Sequence, residues 1–293
     1  MKSLVPHTLA GERADRVVAV LAEVSRATAR SMIETRAVTV DGSPVVPRQK
    51  LAEGAEVEFE VPVPEPRLVP EEVAFEVTYE DDHLAVVDKP TGIVTHPGAG
   101  RTTGTLAAGL LHRWPSIRGV GEDGRWGIVH RLDRETSGLL VVALTADAYV
   151  GLRDAMRRRT VTRTYLALVH GRADVPTGTI DAPLARDPRH PTRFRVDSDG
   201  RHARTHYRVH TSWDAMTLLE VTLETGRTHQ IRVHLGSIGL PVAGDPVYGR
   251  DAGAPRVFLH ATRLAFDHPI TAEPMEFESP LPDDLAAVVG ELG

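Results

Sequence analysis

Residues 127–138 read Gly-Ile-Val-His-Arg-Leu-Asp-Arg-Glu-Thr-Ser-Gly, and the apolar run 138–144 follows directly. Within this stretch Asp133 has arginines on either side, at positions 131 and 134. Neighbouring cations favour the ionised form of a carboxylate, which suits a nucleophile or a base rather than an acid. A structural ion pair in a loop gives the same pattern. Taken alone, the stretch leaves both interpretations open.

A second polar segment lies at 223–235 and leads to Gly-Asp-Pro-Val-Tyr-Gly at 244–249. The strand pattern ends near Gly226, and Thr228 is positioned to cap a helix that begins there. In such a helix Ile231 and Leu235 face the core, and Arg232 lies one residue away from that face. We therefore expect Arg232 to reach a nearby site.

A third segment, 88–100, is a glycine-rich loop that follows a buried apolar run at 84–88. It lacks the Gly-Lys-Ser/Thr order of a phosphate-binding P-loop.

The chain from 71 to 293 is predicted to be one α+β domain with a mixed, largely antiparallel sheet. Strands are indicated at 84–88, 138–144 and 164–169, and by the alternation of Leu219, Val221 and Leu223. After the second of these strands, Tyr149, Leu152 and Met156 have the spacing of one helical face.

Residues 1–62 form a separate small module in this interpretation. Two helices are predicted, the second capped by Ser25, followed by an Asp41-Gly42 hairpin turn and a strand. The expected apolar positions are Val17, Val20, Leu21 and Val24 in the first helix, Ala29, Met32 and Ile33 in the second, and Val57, Phe59 and Val61 in the strand. Four prolines at 62–70 indicate an extended linker, placed at 63–70.

Charge is distributed unevenly, although the net charge of the 293 residues is −6. Five arginines against one aspartate occupy 153–163, and seven arginines against three aspartates occupy 186–208. This pattern predicts a basic face, unless arginine is simply the default cation of the chain. The absence of cysteine excludes disulfides, thiol nucleophiles and cysteine-ligated zinc. No apolar run is long enough for a membrane span or a signal peptide, so we expect a cytoplasmic protein.

Two families are suggested by the order of these motifs. Residues 11–16, 25–29 and 37–42 resemble an S4 RNA-binding domain, with Ala14 where that family has leucine. Residues 130–140 and 226–234, supported by 88–98, 163–165 and 258–261, resemble the RluA/RluD family of pseudouridine synthases. Leu144 and Trp126 depart from that family, which commonly has lysine and proline there.

The resemblance implies that Asp133 is the catalytic carboxylate that isomerises a uridine flipped out of RNA. Whether it attacks C1′ or removes a ribose proton stays open. Arg232 is expected to pair with Asp133, with Arg227 as the competing candidate. Tyr165 is expected to stack on the uracil or to transfer a proton at C5, and Arg131 to fill the gap in the RNA stack. The remaining implied contacts are substrate contacts by Leu132, Arg134, Arg227, His229 and Ile231, and RNA-backbone contacts by Arg157, Arg158, Arg159 and Arg163.

RNA is the implied partner, most simply large-subunit ribosomal RNA, acted on by a monomer. Transfer RNA is an alternative target, and an inert RNA-binding or ribosome-assembly protein is an alternative function. No cofactor or metal is implied. A metal-dependent phosphodiesterase is not supported, because His229 and His234 do not share a helical face and His130 with Asp133 lacks a third ligand. His96 and His260 are expected to be structural hydrogen-bonding residues.

Overall fold

The computed structural model describes residues 1–60, 68–98, 102–122, 124–249 and 252–293. The chain divides into two compact units, Met1–Arg67 and Leu68–Gly293. Most of the predicted linker, 63–67, lies outside the described residues.

The first unit combines two helices with a four-stranded antiparallel sheet. The helices are α1 (Ala14–Leu21) and α2 (Arg26–Glu34), and the strands are β1 (Lys2–Leu4), β2 (Val38–Val40), β3 (Ser43–Pro44) and β4 (Glu56–Phe59). The strand order is β1-β4-β2-β3.

The start of α2 is fixed as predicted, because the Ser25 hydroxyl accepts a hydrogen bond from the Thr28 backbone N–H at 3.1 Å. In α1 the expectation that Val20 lies on the apolar face was wrong, since this residue is 54% exposed. The helix instead buries Ala14, Val17 and Val18, an i, i+3, i+4 set. The run of adjacent valines made either choice compatible with helical spacing.

The second unit is built on a nine-stranded sheet. Its strands are β5 (Glu76–Glu80), β6 (Leu84–Lys89), β7 (Ser137–Ala143), β8 (Thr162–His170), β9 (Thr177–Asp181), β12 (Arg204–Ser212), β13 (Met216–Leu223), β14 (Leu259–Asp267) and β15 (Pro274–Glu278), with β10 (Leu184–Arg186) and β11 (Phe194–Val196) forming a separate hairpin. Its helices are α3 (Leu106–Arg113), α4 (Ala146–Arg158), α5 (Gln230–Ser237) and α6 (Asp283–Leu292).

The order of the main sheet is β5-β6-β7-β14-β8-β13-β12-β9, with β15 paired to β14. Every pairing in it is antiparallel except that of β14 with β7. The predicted α+β class with a mixed, largely antiparallel sheet is confirmed. No described helix is both long enough and apolar enough to span a membrane.

The parallel junction depends on Gly138. Its φ is +113°, and a Cβ placed there would come within 2.3 Å of the Ala261 carbonyl oxygen. A side chain at this position would push β7 away from β14, so glycine sets the place where the loop containing Asp133 enters the sheet.

Candidate active site

Two loops meet over the middle strands of the main sheet and enclose a small cavity of about 40 Å³. One precedes β7 and carries Asp133, and the other joins β13 to α5. Strands β8 and β14 supply Tyr165 and Leu259. The remaining lining residues are Arg131, Leu132, Thr136, Arg163, Leu223, Gly226, Arg227, Thr228, His229, Gln230 and Ile231.

The carboxylate of Asp133 is paired with Arg232 at this cavity. The Arg232 Nη1 to Asp133 Oδ2 distance is 3.5 Å, and the two side chains are 6% and 15% exposed. Among the described residues no other ion pair involves Asp133. Arg227, the competing candidate, instead donates from Nε to the His202 carbonyl oxygen at 3.1 Å.

Arg232 is held from its other side by Asp245, to which the sequence interpretation gave no role. Its Nε and Nη2 donate to the two Asp245 carboxylate oxygens at 2.7 and 2.8 Å, a bidentate pair. The backbone N–H groups of Val247 and Tyr248 also donate to Asp245. Burial raises the pKa of the Asp245 carboxyl, but Arg232 and these backbone donors outweigh it and hold the pKa below its usual range. The guanidinium is therefore fixed in position before it meets Asp133.

The apolar side of the cavity is formed by Leu132, Tyr165 and Ile231, all buried. Burial raises the pKa of the Tyr165 hydroxyl, which is therefore protonated at neutral pH. Tyr165 lines the cavity, so its side chain is placed to meet a ligand there.

The start of α5 differs from the prediction. Thr228 is not its N-cap, because the helix begins at Gln230 and His229 occupies the capping position in a left-handed conformation, with φ at +57°. The Gln230 side-chain oxygen accepts from the Arg227 backbone N–H and from the Thr225 hydroxyl. The Gln230 side chain thus fixes the loop that precedes the helix, while His229 at the capping position makes no side-chain capping hydrogen bond.

His229 is oriented by Tyr248. The Tyr248 hydroxyl accepts a hydrogen bond from the Phe194 backbone N–H at 2.8 Å and lies 2.8 Å from His229 Nδ1. Since that hydroxyl has one proton to give, we assign it to Nδ1, which leaves the proton of neutral His229 on Nε2. Burial lowers the pKa of His229, so the neutral form is favoured.

The glycine-rich loop at 88–98 holds the Asp133 loop in place. The Thr95 hydroxyl donates to the Leu132 carbonyl at 2.9 Å, and the Gly92 N–H donates to the Arg134 carbonyl at 2.8 Å. Fully buried Lys89 donates to the carbonyls of Ile93 and Arg134 at 2.9 and 3.4 Å, and burial lowers its pKa to about 7. The side chain of Arg134 points to this loop as well, donating to the Gly92 carbonyl.

A second, larger cavity of about 430 Å³ adjoins the first and shares Arg131, Arg163, Gly226 and Arg227 with it. Its other lining residues are His96, Arg125, Val129, His130, Met156, Arg157, Arg159, Glu224 and Thr225. The four arginines predicted to contact the RNA backbone are placed differently from one another. Arg157, Arg158 and Arg159 are exposed, whereas Arg163 is buried within β8. Arg163 does not lie on the exposed surface with the other three, because β8 turns it inward to line the cavity, and its contact with the RNA backbone stays a prediction.

The histidines also separate into two groups. His260 is a structural hydrogen-bonding residue as predicted, with Ser137 at 2.9 Å from Nδ1. The same prediction for His96 was wrong, since its Nδ1 is buried without a partner among the described residues. Within the described ranges, no group of three or more His, Cys, Asp or Glu side chains is arranged to hold a metal ion.

Comparisons with known proteins agree with the motif order. Residues 83–237, more than half of the chain, match the family model described as RNA pseudouridylate synthase. A Nitrosomonas europaea protein named ribosomal large subunit pseudouridine synthase D is 45% identical over 97% of this chain and 86% of its own length. A Chloroflexus aurantiacus protein, named an uncharacterized RNA pseudouridine synthase, is 46% identical over 99% of this chain and 92% of its own. The solved structure of human RNA pseudouridylate synthase domain containing 1 covers 76% of this chain and 90% of its own, with a TM-score of 0.60 and 29% identity. The chain therefore belongs to the RNA pseudouridylate synthase family.

Proposed function

We propose that this enzyme isomerises specific uridines in large-subunit (23S) ribosomal RNA, with Asp133 as the catalytic carboxylate. The observation that carries the assignment of Asp133 is its position at the mouth of a cavity, 3.5 Å from a guanidinium that Asp245 already holds. A carboxylate held beside a fixed guanidinium is positioned to act as nucleophile or base.

The reaction breaks the N1–C1′ bond of uridine and forms a C5–C1′ bond, so a proton leaves C5 and N1 gains one. Asp133 starts it either by attacking C1′ or by removing a ribose proton. The detached uracil must turn without escaping, and the buried walls formed by Leu132, Tyr165 and Ile231 support such confinement. The protonated Tyr165 hydroxyl is available to exchange a proton at the base, or its ring stacks on the uracil.

The cavity of about 40 Å³ holds only a few water molecules, so a base needs side chains to move before it enters. Arg131 is exposed and lines both cavities, which suits a side chain that moves aside and then stacks in the RNA gap. Arg134, Arg227 and His229 line or support this entrance and complete the proposed set of substrate contacts.

The proposed RNA surface has two parts. In the second unit, Arg157, Arg158 and Arg159 are exposed beside the larger cavity. Arg157 and Arg158 pair with Asp154, and such exposed pairs are weak enough to exchange for phosphate. In the first unit, the helix pair followed by a small sheet supports an S4-like RNA-binding role, with Arg26 and Arg30 exposed on α2. A monomeric state and a cytoplasmic location remain predictions.

The choice of ribosomal RNA is supported by the name of the Nitrosomonas europaea relative. The test is pseudouridine mapping of total cellular RNA, by carbodiimide-stopped primer extension, in cells with and without this gene. Loss of signal at specific large-subunit positions is the expected result. Loss confined to transfer RNA would keep the chemistry and overturn the target. If no signal is lost, purified enzyme on transcribed RNA distinguishes a redundant enzyme from an inert binding protein.

A further inference from the structure

Arg163 is a buried cation without an acidic partner. Its side chain lies in β8 with 6% of the residue exposed. Nη2 donates to the Leu223 carbonyl oxygen at 3.2 Å, while Nε has no partner among the described residues. No described carboxylate is paired with it, and burial lowers the pKa of the guanidinium. A buried charge in this state is costly, and proteins rarely retain one unless an anion completes it.

The unsatisfied groups cluster in one place. In the part of the chain that the structure describes, four buried side-chain nitrogens have no hydrogen-bond partner. Three of them belong to His96, His130 and Arg163, and all three residues line the larger cavity. Native proteins leave few such groups unpaired, so three around one cavity indicate a missing ligand.

The protonation of His130 shows what that ligand must offer. His130 Nε2 accepts a hydrogen bond from the Val141 backbone N–H at 3.1 Å. Burial lowers the His130 pKa to about 3, so the ring is neutral and its single proton lies on the unpartnered Nδ1. Nδ1 of His130 and Nε of Arg163 are therefore both donors, and the ligand must supply acceptor oxygens. Both atoms are buried in the free protein, so a ligand in the cavity reaches them only after neighbouring side chains shift.

The charge around the cavity favours an anion. Arg125, Arg131, Arg157, Arg159 and Arg227 line it together with Arg163. The one acid in the lining, Glu224, is already engaged by Arg159, Arg204 and His206. The carboxylate is thus neutralised before any ligand arrives.

We propose that this cavity is a phosphodiester subsite, in which Arg163 and His130 bind the phosphate that links the target uridine to a neighbouring nucleotide. The two cavities share Arg131, Arg163, Gly226 and Arg227, so a group in the larger one lies next to a nucleotide in the smaller one. Burial makes a charged hydrogen bond to Arg163 stronger than one to an exposed arginine. The inference rests on the proposed action on RNA and names a contact that sets affinity for the strand.

The test uses short RNAs that carry a uridine already mapped as a target, with one uncharged methylphosphonate linkage placed immediately 5′ or 3′ of it. Wild type, Arg163→Met and the control Arg263→Met are compared for pseudouridine formation. The Arg263 side chain on β14 is 41% exposed, pairs with Glu276 at 2.6 Å and lines neither cavity. For wild type and the control, one of the two linkages should lower kcat/KM by about 10- to 100-fold.

In Arg163→Met, the unmodified RNA should show the same loss, mainly in KM, and the methylphosphonate should add almost nothing. The salt dependence of binding should also weaken by about one phosphate contact. The proposal fails if Arg163→Met responds to both linkages as wild type does, which would point to a contact with the uracil instead. Wild type that forms no pseudouridine in the unmodified RNA would overturn the proposed function itself.

Thermal stability distinguishes the phosphate contact from a merely structural role for Arg163. Replacing a buried, unpaired charge with methionine should leave the melting temperature of the free protein unchanged or raise it. Inorganic phosphate should raise the melting temperature of wild type more than that of Arg163→Met. A large drop in melting temperature for Arg163→Met, with the methylphosphonate response intact, would assign the residue to the fold.

Discussion

The two adjoining cavities differ in how their charges are satisfied. In the smaller one, Arg232 is completed by Asp245 and faces Asp133, so this guanidinium and both carboxylates are paired in the free protein. In the larger one, Arg163 has no acid and His130 has an unpartnered donor. The Arg232 side chain is 6% exposed, and the Arg163 residue is also 6% exposed. A difference in burial therefore does not explain why one guanidinium has an acidic partner and the other has none.

The contrast suggests that the smaller cavity positions a reacting group and that the larger one binds the RNA strand. A catalytic carboxylate must keep its charge and geometry at all times, which preorganised partners provide. A cation that binds a strand gains affinity if it has no partner in the free protein, because the bound phosphate then removes the energetic cost of the buried, unpaired charge. Substitutions in the smaller cavity should therefore affect kcat, and those in the larger one KM.

The largest effect is expected from Asp133→Asn, which removes the charge and keeps the shape. Activity should fall by about 10⁴-fold, the upper range for a positioned catalytic group, while RNA binding and the fold persist. Tritium release from RNA labelled at uridine C5 measures the activity. The exposed Asp267→Asn serves as the matched control. Full turnover by Asp133→Asn would remove the basis of the proposed chemistry.

Arg232→Ala should nearly abolish activity and also destabilise the protein. Both Asp133 and Asp245 lose their partner, and breaking a buried pair in this way costs roughly 3–5 kcal/mol. Arg232→Lys keeps the charge without the bidentate fork, so it should fold better than Arg232→Ala yet stay impaired. Urea unfolding together with the tritium assay separates the two effects. Wild-type kcat in Arg232→Lys would show that the fork is not needed.

Tyr165→Phe tests how the buried hydroxyl is used. Because this group is protonated at neutral pH, we expect it to take part in proton transfer and its loss to lower kcat by about 10²-fold. KM should change little, since the aromatic ring remains. A variant with wild-type kcat would instead assign Tyr165 to stacking alone.

Asp245→Asn should reduce kcat by up to about 10²-fold, because a small displacement of Arg232 misaligns Asp133. It should also change the pH dependence of stability. The Asp245 pKa is lower in the folded than in the unfolded state, so its stabilisation is present above about pH 4 and is lost as pH falls through the folded pKa. Unfolding of wild type and Asp245→Asn from pH 2 to 7 should therefore converge at acid pH. Parallel curves would show that Asp245 is not the linked group.

The smallest effect is expected from Arg157→Ala, at the exposed rim of the larger cavity. KM should rise only a few-fold at low salt, and the difference should fade as salt rises, because exposed contacts are screened. Binding isotherms across a salt series compare it with Arg163→Met. Equal losses in the two variants would erase the distinction between a rim arginine and a buried one.

Local patterns in the sequence predicted much of this architecture. The spacing in α2, the Ser25 cap and the apolar runs that became β6, β7 and β8 all depend on residues close in the chain. Motif order predicted the family, which the comparisons confirm. The pairing of Arg232 rather than Arg227 with Asp133 was also expected, although through the resemblance and not from spacing.

Other features failed where neighbours distant in sequence decide the outcome. Val20 and Val18 are equally apolar, and only packing shows which one is buried in the core. Thr228 has the chemistry of a cap, yet the helix begins one residue later than that role requires, with His229 in the capping position. Asp245 lies in the 244–249 segment, but nothing in the sequence indicates that its carboxylate accepts the bidentate hydrogen bonds of Arg232.

The sequence by itself thus determined the family and the α+β class, because these follow from short motifs and local periodicity, and through the family resemblance it predicted Asp133 as the catalytic carboxylate. Tertiary structure decided which charges are satisfied. Arg163 and Arg157 are the same residue type in one basic stretch, but strand β8 buries the first and helix α4 exposes the second. The free energy of a charge depends on its solvent and its partners, and these are set by the three-dimensional packing of strands and loops far apart in the chain.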